Sequence, residues 1–134
     1  ADAKSALREC DHDVRIELSK GPSPGAGIEL WAQAANGARV GASALGERGK
    51  MSEAVGREAG GRLLAELAAE APVDRHLADQ LLVWAALASS PSEFLISEET
   101  EHVTSCAQLL REGIGARIYI EGATPATVRV TPPP

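Results

Sequence analysis

A polar pair, Asp79 and Gln80, interrupts an otherwise apolar helical pattern over residues 74–88. A histidine, His102, lies near the start of a later helical pattern. Burying a polar group without a partner costs about 1–3 kcal/mol, so the Asp-Gln pair needs backbone, water or a ligand as its partner. These residue types at these positions make residues 73–106 the place where a functional site is expected.

Each of these residues also has a purely structural interpretation when its type and neighbours are taken alone. His102 is most simply a solvated side chain near a helix start. Asp79 and Gln80 also suit a cap, or hydrogen bonds to the turn at residues 89–92. His76, in the first turn of the same helical pattern, is most simply a surface residue.

Length and composition favour one domain with a hydrophobic core, because the chain has 134 residues. Hydrophobic residues make up 44% but aromatic residues only 3%, so the core must be built from Ala, Leu, Val and Ile. A net charge of −6 argues against a broad electrostatic contact with duplex nucleic acid. A protein that reads only the end of a strand needs no such contact.

The cysteines and the hydropathy pattern bear on the compartment. Cys10 and Cys106 resemble no zinc or redox motif, and two thiols do not make a disulfide framework. The sequence contains no apolar run of about 18 residues, so no membrane span is expected. A cytoplasmic location away from the membrane, with no metal bound by the chain's own motifs, is therefore expected.

Hydrophobic periodicity predicts a mixture of strands and helices. The best hairpin turn is Asn36-Gly37, since both residues tolerate a positive φ. Strands are predicted over residues 13–19, 28–35, 39–44, 93–98, 116–121 and 126–130, and helices over residues 1–10, 52–70, 74–88 and from Thr104 or Ser105 to 113. The fold class is therefore α+β: a two-layer domain with a mixed sheet of about four or more strands and helices on one face.

The predicted helices have distinct faces. Ser52 is suited to cap the helix over residues 52–70. Its predicted buried stripe contains Val55, Ala59, Leu63 and Leu67. The helix over residues 74–88 is apolar on both sides, so most of its faces are expected to be covered. The last helix is expected to turn Cys106, Leu109 and Leu110 inward.

Four blocks of sequence, at residues 23–33, 41–59, 73–88 and 99–106 with 116–121, resemble the RNA 3'-terminal phosphate cyclases in order and spacing. The resemblance implies a repeat unit similar to the C-terminal domain of translation initiation factor 3. It also implies that the chain corresponds to the C-terminal portion of a longer enzyme. Residues 1–20 would then end an inserted small domain, as a helix plus a strand, and residues 21–134 would form the C-terminal catalytic-type domain.

The resemblance also implies roles for individual residues. His102 falls on the family's nucleophilic histidine, which becomes covalently adenylated. The block that lines the ATP pocket corresponds to His76, Leu77, Ala78, Asp79 and Gln80. Within it His76 takes the position that packs on adenine, while Asp79 and Gln80 would face the nucleotide and orient the histidine. Ser105 and Cys106 depart from the family pattern of Thr and Asn.

The implied activity is the ATP-dependent conversion of an RNA 3'-phosphate end to a 2',3'-cyclic phosphate through a histidine-AMP intermediate. ATP and Mg²⁺, or another divalent cation, are the implied cofactors, and an N-terminal half domain or partner chain is an implied partner. Arg48, between two glycines, is suited to contact phosphate or RNA, and equally to be a surface arginine in a turn.

Two other functions remain open on the sequence. The chain would serve as a non-catalytic cyclase-like module in RNA processing or ribosome biogenesis if its site were incomplete. Alternatively, it is an inactive fragment that needs its N-terminal half. Retention of His102 argues for catalysis, whereas Cys106 in place of asparagine argues for a binding or assembly role.

Overall fold

The computed structural model describes residues 13–34 and 37–134, which divide into two compact units. Of the described residues, 13–32 and 41–65 form the first unit, and 33–34, 37–40 and 66–134 form the second. The elements in chain order are β1 (Gly27–Gln33), β2 (Arg39–Leu45), α1 (Ser52–Ala68), α2 (Leu77–Leu87), β3 (Ser92–Ile96), α3 (Glu101–Ile114), β4 (Arg117–Gly122) and β5 (Ala126–Thr131). Within the described residues these make two small antiparallel sheets and three helices, which confirms the predicted α+β class.

Strands β1 and β2 form the predicted hairpin. The N–H of Ala34 donates to the carbonyl of Ala38 at 2.8 Å, and Gly37 has a φ of +85°, a conformation that glycine adopts without a steric penalty. Asn36, the other predicted turn residue, lies outside the described residues. In the first unit a small core forms where Ala44 of β2 packs with Val55 and Ala59 of α1.

Two predictions for the first unit are wrong. Residues 13–19 form no strand and lie exposed, with the side chains of Ile16 and Leu18 82% and 96% accessible. An alternating pattern makes a strand only when a neighbouring strand pairs with it. Ser52 does not cap α1, because it is the first residue inside the helix and its hydroxyl donates to the Glu53 carboxylate. The carbonyl of Met51 accepts from the N–H groups of Ala54 and Val55 and so starts the helical hydrogen bonds. The helix predicted over residues 1–10 lies outside the described residues.

The sheet of the second unit has the strand order β3-β5-β4, with both pairings antiparallel. Val73 adds a one-residue parallel bridge to Ile96 at the outer edge of β3. The prediction was one mixed sheet of about four or more strands. Within the described residues the strands instead form two antiparallel sheets, of two and three strands, and the bridge at Val73 is the parallel element. The buried face of the three-stranded sheet carries Phe94, Val128 and Ile120 in register across the three strands.

Helices α2 and α3 pack on this buried face. Their fully buried side chains include Ala78, Leu82, Val103 and Ala107. The outer side of α2 is not covered within the described residues, since Trp84 is 72% exposed. The expectation that most faces of this helix are buried is therefore wrong, and so is the inward orientation of Leu109, which is 70% exposed.

Helix α3 ends in a defined cap that leads into β4. Gly115 has a φ of +76° and its N–H donates to the carbonyl of Leu110. Arg111 then donates from Nε and Nη2 to the carbonyl of Ile118, at 3.0 and 2.6 Å. None of the helices in residues 13–34 and 37–134 is both long enough and apolar enough to cross a membrane.

Leu82→Ala should lower the free energy of unfolding by about 3 kcal/mol, because it leaves a cavity beneath a fully buried helix position. Leu87→Ala is the matched control on the same helix: the side chain is 62% exposed, and the expected change is below about 0.5 kcal/mol. Urea denaturation followed by circular dichroism measures both. Equal losses in the two variants would contradict the packing described for α2.

Candidate functional site

The topology of the second unit brings the starts of α2 and α3 to the same end of the sheet. Val73 runs parallel to β3, and β3 and β4 are parallel to each other because both are antiparallel to β5. The chain therefore passes twice from one parallel strand position through a helix to the next. Both helices consequently begin beyond the carboxyl ends of parallel strand positions, where open α/β sheets bind ligands.

The start of α2 is organised by Asp74. Its Oδ1 accepts hydrogen bonds from the N–H groups of His76 and Leu77, at 3.0 and 2.8 Å, which satisfies donors that a helix start leaves unpaired. The side chain of Gln80 closes the same turn, since its Nε2 donates to the carbonyl of His76 at 3.1 Å. The predicted nucleotide block is thus a well-defined first turn of a helix.

The residues of this block differ in exposure. His76, Leu77 and Gln80 are exposed, and Asp79 is half-buried. Ala78 is fully buried in the core, so its side chain faces the sheet. The nucleotide-binding role predicted for the five residues stays a prediction.

Thr100 begins α3 and supports the segment that carries His102. Its Oγ1 accepts from the N–H of Val103 at 3.2 Å, and its carbonyl accepts from the N–H of Thr104 at 3.0 Å. The predicted caps, Thr104 and Ser105, are wrong by about one turn, because both lie inside the helix. His102 therefore lies in the first turn, where the helix dipole is most positive.

The imidazole of His102 is exposed and makes no hydrogen bond within the described residues. One turn later on the same side of α3, Cys106 touches α2: its Sγ lies 3.5 Å from the carbonyl oxygen of Asp79. Because the two helices run in the same direction, moving back from Cys106 to His102 also moves back along α2 towards His76. His102 thus lies at the end of the layer where α2 begins.

No hydrogen bond joins the Asp79 carboxylate or the Gln80 amide to His102 within the described residues. The Asp79 Oδ1 accepts instead from the N–H of Gln80 at 3.0 Å. The hypothesis that these two side chains orient the histidine stays a prediction.

Cys106 occupies the interface between α2 and α3. Burial raises the pKa of its thiol, and the negative charge of Asp79 raises it further. At neutral pH the group is therefore a protonated, half-buried thiol, which fills space and donates weakly to the Asp79 carbonyl.

Arg48 lies in the first unit, on an exposed turn between β2 and α1. The N–H of Lys50 donates to the carbonyl of Glu47 at 3.0 Å, and Gly49 takes the positive φ of +86° that this turn requires. A turn of this kind supports either of the two interpretations of Arg48, and its contact with phosphate or RNA stays a prediction.

Two features of the site were not identified from the sequence. Glu66, 2% exposed, forms an ion pair with Arg75, which in turn lies 2.9 Å from Glu98. The spacing of three from Leu63 places Glu66 on the buried stripe of α1, and that spacing was the available signal. Glu98, in the acidic run that also contains Glu99 and Glu101, is the other end of this bridge.

Comparison of the sequence with known proteins identifies the family of the chain. Residues 1–68 match the family model described as the RNA 3'-terminal phosphate cyclase (RTC) insert domain. The chain belongs to the RNA 3'-terminal phosphate cyclase family. The matched span reaches beyond the domain boundary predicted after residue 20, and that boundary stays a prediction.

Curated proteins named RNA 3'-terminal phosphate cyclase resemble most of this cyclase-family chain. The Archaeoglobus fulgidus protein is 43% identical over 110 residues, which cover 82% of this chain and 32% of the relative. The Methanopyrus kandleri protein is 40% identical over 143 residues, covering 98% of this chain and 41% of the relative. The chain thus spans about a third to two fifths of the length of these relatives.

Thr100→Ala should lower the free energy of unfolding by about 1 kcal/mol, because it removes the side-chain acceptor at the start of α3. Thr100→Ser keeps the hydroxyl and should stay close to the parent. Urea denaturation measures both. Equal destabilisation by alanine and serine would show that the methyl group, and not the cap, is what the helix start needs.

In a Cys10→Ser background the thiol of Cys106 should react slowly with iodoacetamide at neutral pH. The rate should rise only at a pH above the pKa of a thiol in a free peptide, because the raised pKa keeps the thiol protonated. Asp79→Asn should move this rise in rate to a lower pH, because it removes the neighbouring negative charge and leaves only the effect of burial on the thiol. Since the folded state holds the proton more tightly than the unfolded chain, stability should fall as pH rises through the thiol's raised pKa. A reactivity unchanged by Asp79→Asn would contradict this account.

Proposed function

We propose that this chain supplies the nucleophile and part of the nucleotide site for the ATP-dependent conversion of an RNA 3'-phosphate to a 2',3'-cyclic phosphate. The observation that supports it best is the common location of two helix starts. The start of α2 carries His76, Asp79 and Gln80, and that of α3 carries the exposed imidazole of His102. The names of the curated relatives point to the same reaction.

The position of His102 suits attack on a phosphate. A neutral imidazole is a competent nucleophile, and the phosphoramidate that it forms stays reactive. An exposed ring without a hydrogen-bond partner in the described structure keeps both nitrogens available. The start of a helix adds N–H groups and positive potential, which favour the incoming phosphate.

The reaction proceeds in three displacement steps at phosphorus. A nitrogen of His102 attacks the α-phosphorus of ATP, and pyrophosphate leaves. An oxygen of the RNA 3'-phosphate then attacks the phosphorus of the bound AMP, and the histidine leaves. Finally the adjacent ribose 2'-hydroxyl attacks the 3'-phosphorus, releasing AMP and closing the cyclic phosphate while the hydroxyl proton passes to solvent or a base.

In this proposal His76 provides the surface on which adenine packs, and its exposed ring in the first turn of α2 is accessible for that contact. Gln80 donates to the carbonyl of His76 and so steadies the same turn. Asp79 would accept a hydrogen bond from the ring N–H of His102 after a change of its side-chain rotamer, since its Oδ1 currently accepts from a backbone N–H.

Mg²⁺ would neutralise the phosphates of ATP when bound. Within the described ranges, 13–34 and 37–134, no group of three or more His, Cys, Asp or Glu side chains is arranged to hold a metal ion. In this part of the chain the ion would therefore be held chiefly by the phosphates of ATP and by water, with one or two carboxylates at most, as is usual for Mg²⁺ on a nucleotide.

The nucleophile is tested by incubating the protein with ATP and Mg²⁺ and measuring intact mass. The chain alone should be compared with an Archaeoglobus fulgidus relative in which the matching segment is replaced by this chain. An acid-labile adduct of one AMP is expected, and His102→Ala should abolish it. His76→Phe is the matched histidine control, which keeps an aromatic ring and should retain the adduct.

An adduct that survives His102→Ala would refute the assigned nucleophile. Absence of ATP binding by calorimetry in both proteins would instead favour the non-catalytic module. The RNA step is checked with a 3'-phosphorylated oligoribonucleotide, whose end should become resistant to phosphatase. A matched oligonucleotide with a terminal 2'-deoxyribose should stop at the adenylated end and keep the mass of one AMP, because it lacks the hydroxyl that attacks the 3'-phosphorus and releases AMP.

A further inference from the structure

The guanidinium of Arg75 joins two carboxylates that come from different segments of the second unit. Its Nε donates a hydrogen bond to Oε1 of Glu66, in the last turn of α1. Its Nη1 lies 2.9 Å from Oε1 of Glu98, in the connection between β3 and α3. Arg75 itself lies in the connection that leads into α2, so one side chain ties three segments together.

Stability alone does not account for this bridge. Glu66 is 2% exposed, and its Oε2 has no hydrogen-bond partner within the described residues. A buried ion pair contributes little net stability, and replacing it by packed hydrocarbon is often neutral or stabilising. Fixing one geometry among several is a role that such a pair serves better than stabilisation.

The two connections tied by Arg75 lead directly into the two helix starts of the proposed site. Arg75 lies between Asp74, which caps α2, and His76. Glu98 lies two residues before Thr100, which caps α3.

Near the sheet, the connection before α2 and the connection before α3 are joined by backbone hydrogen bonds. The N–H of Ser97 donates to the carbonyl of Val73 at 2.9 Å, next to the parallel bridge. Backbone pairing therefore fixes the connections at their strand ends, and Arg75 fixes them where they approach the helices.

We propose that Arg75 is a positioning residue, which through Glu66 and Glu98 sets the placement of the first turn of α3 relative to the first turn of α2. It thereby holds His102 at the distance from the nucleotide block that adenylyl transfer requires. This inference rests on the proposed function, because it assigns the bridge to the same site. Arg75 acts through the two connections: within the described residues its guanidinium makes no hydrogen bond or ion pair with the side chains of His102 or Gln80.

Three variants separate this role from general stability. Glu98→Ala breaks the more exposed end of the bridge and leaves the buried pair of Glu66 and Arg75 intact, so the fold is retained. Arg75→Met breaks both ends. Arg129→Met is the matched control, because Arg129 also joins two carboxylates, those of Glu93 and Glu121, but on the exposed face of the sheet.

Hydrogen exchange of the chain measures the positioning directly. In Glu98→Ala the amides of Val103 and Thr104, which bond to Thr100, should exchange at least about tenfold faster, since the start of α3 has lost its tie to Arg75. The amides of residues 76–80, still anchored through Glu66 and Arg75, should stay near the parent rate. The amides of β4 should stay unchanged. Arg129→Met should leave both helix starts at the parent rate.

The second measurement is the rate constant of adenylate formation in the Archaeoglobus fulgidus relative that carries this chain. A purely structural role of Arg75 would leave that rate constant unchanged. Glu98→Ala should lower the rate constant about tenfold, because misplacing a nucleophile is costly. The KM for ATP should stay within about twofold, since Glu66 and Arg75 still anchor the nucleotide block. A loss of folded protein would instead lower the amplitude and leave the rate constant unchanged.

The outcomes distinguish this inference from the proposed function. Faster exchange at the start of α3 in Glu98→Ala, in a protein whose parent forms no adenylate, would support the positioning bridge and refute the function. A parent that forms adenylate, with Glu98→Ala unchanged in exchange or in rate constant, would support the function and overturn the role of Arg75. If Arg75→Met fails to fold, the comparison of Glu98→Ala with Arg129→Met still tests the positioning role of Arg75.

Discussion

The pairing of Glu66 with Arg75 is the interaction on which the arrangement of the second unit depends. A carboxylate that is 2% exposed must be matched by a cation, because losing one partner of a buried pair costs roughly 3–5 kcal/mol. The hydrogen bond to Glu66 and the charges around it raise the pKa of Arg75, so the guanidinium is charged at neutral pH. This contact sets where the connection before α2 can lie.

The location of the candidate site follows from parallel chain direction. A single bridge between Val73 and Ile96 makes the chain pass through α2 and return in the same direction, and the passage through α3 to β4 repeats it. Two helix starts then share one end of a sheet without any special sequence between them. Side chains placed there gain positive potential from both helices, which suits chemistry on phosphates. The family membership of the chain is in keeping with such chemistry.

Local patterns in the sequence predicted most of the elements but not their long-range contacts. The β1–β2 hairpin and the stripe of α1 follow from periods of two and 3.6 residues, which a chain shows without its partners. The strand over residues 13–19 failed because alternation does not reveal whether a neighbouring strand exists. The cap of α3 was misplaced because Thr100 and Thr104 are both hydroxyl residues, and only the backbone conformation distinguishes them.

The candidate site was predicted in part for a similar reason. Family resemblance pointed to His102 and to the block starting at His76, and the helices on which they lie are visible in the pattern. That the two starts share one end depends on a one-residue bridge at Val73, which leaves no periodicity. The contacts of Arg75 join residues nine and 23 positions away, and no local pattern encodes such pairings.

The strand order has a consequence for how the chain is made. Strand β5 lies between β3 and β4 but follows both along the chain, and β3 and β4 do not pair with each other. When residues 92–122 have emerged from the ribosome, β3 and β4 each have an edge whose hydrogen-bonding partner, β5, is still missing. The sheet closes only after residues 126–131 emerge, so any premature stop before Ala126 leaves two open edges of the kind that recruit other chains into aggregates.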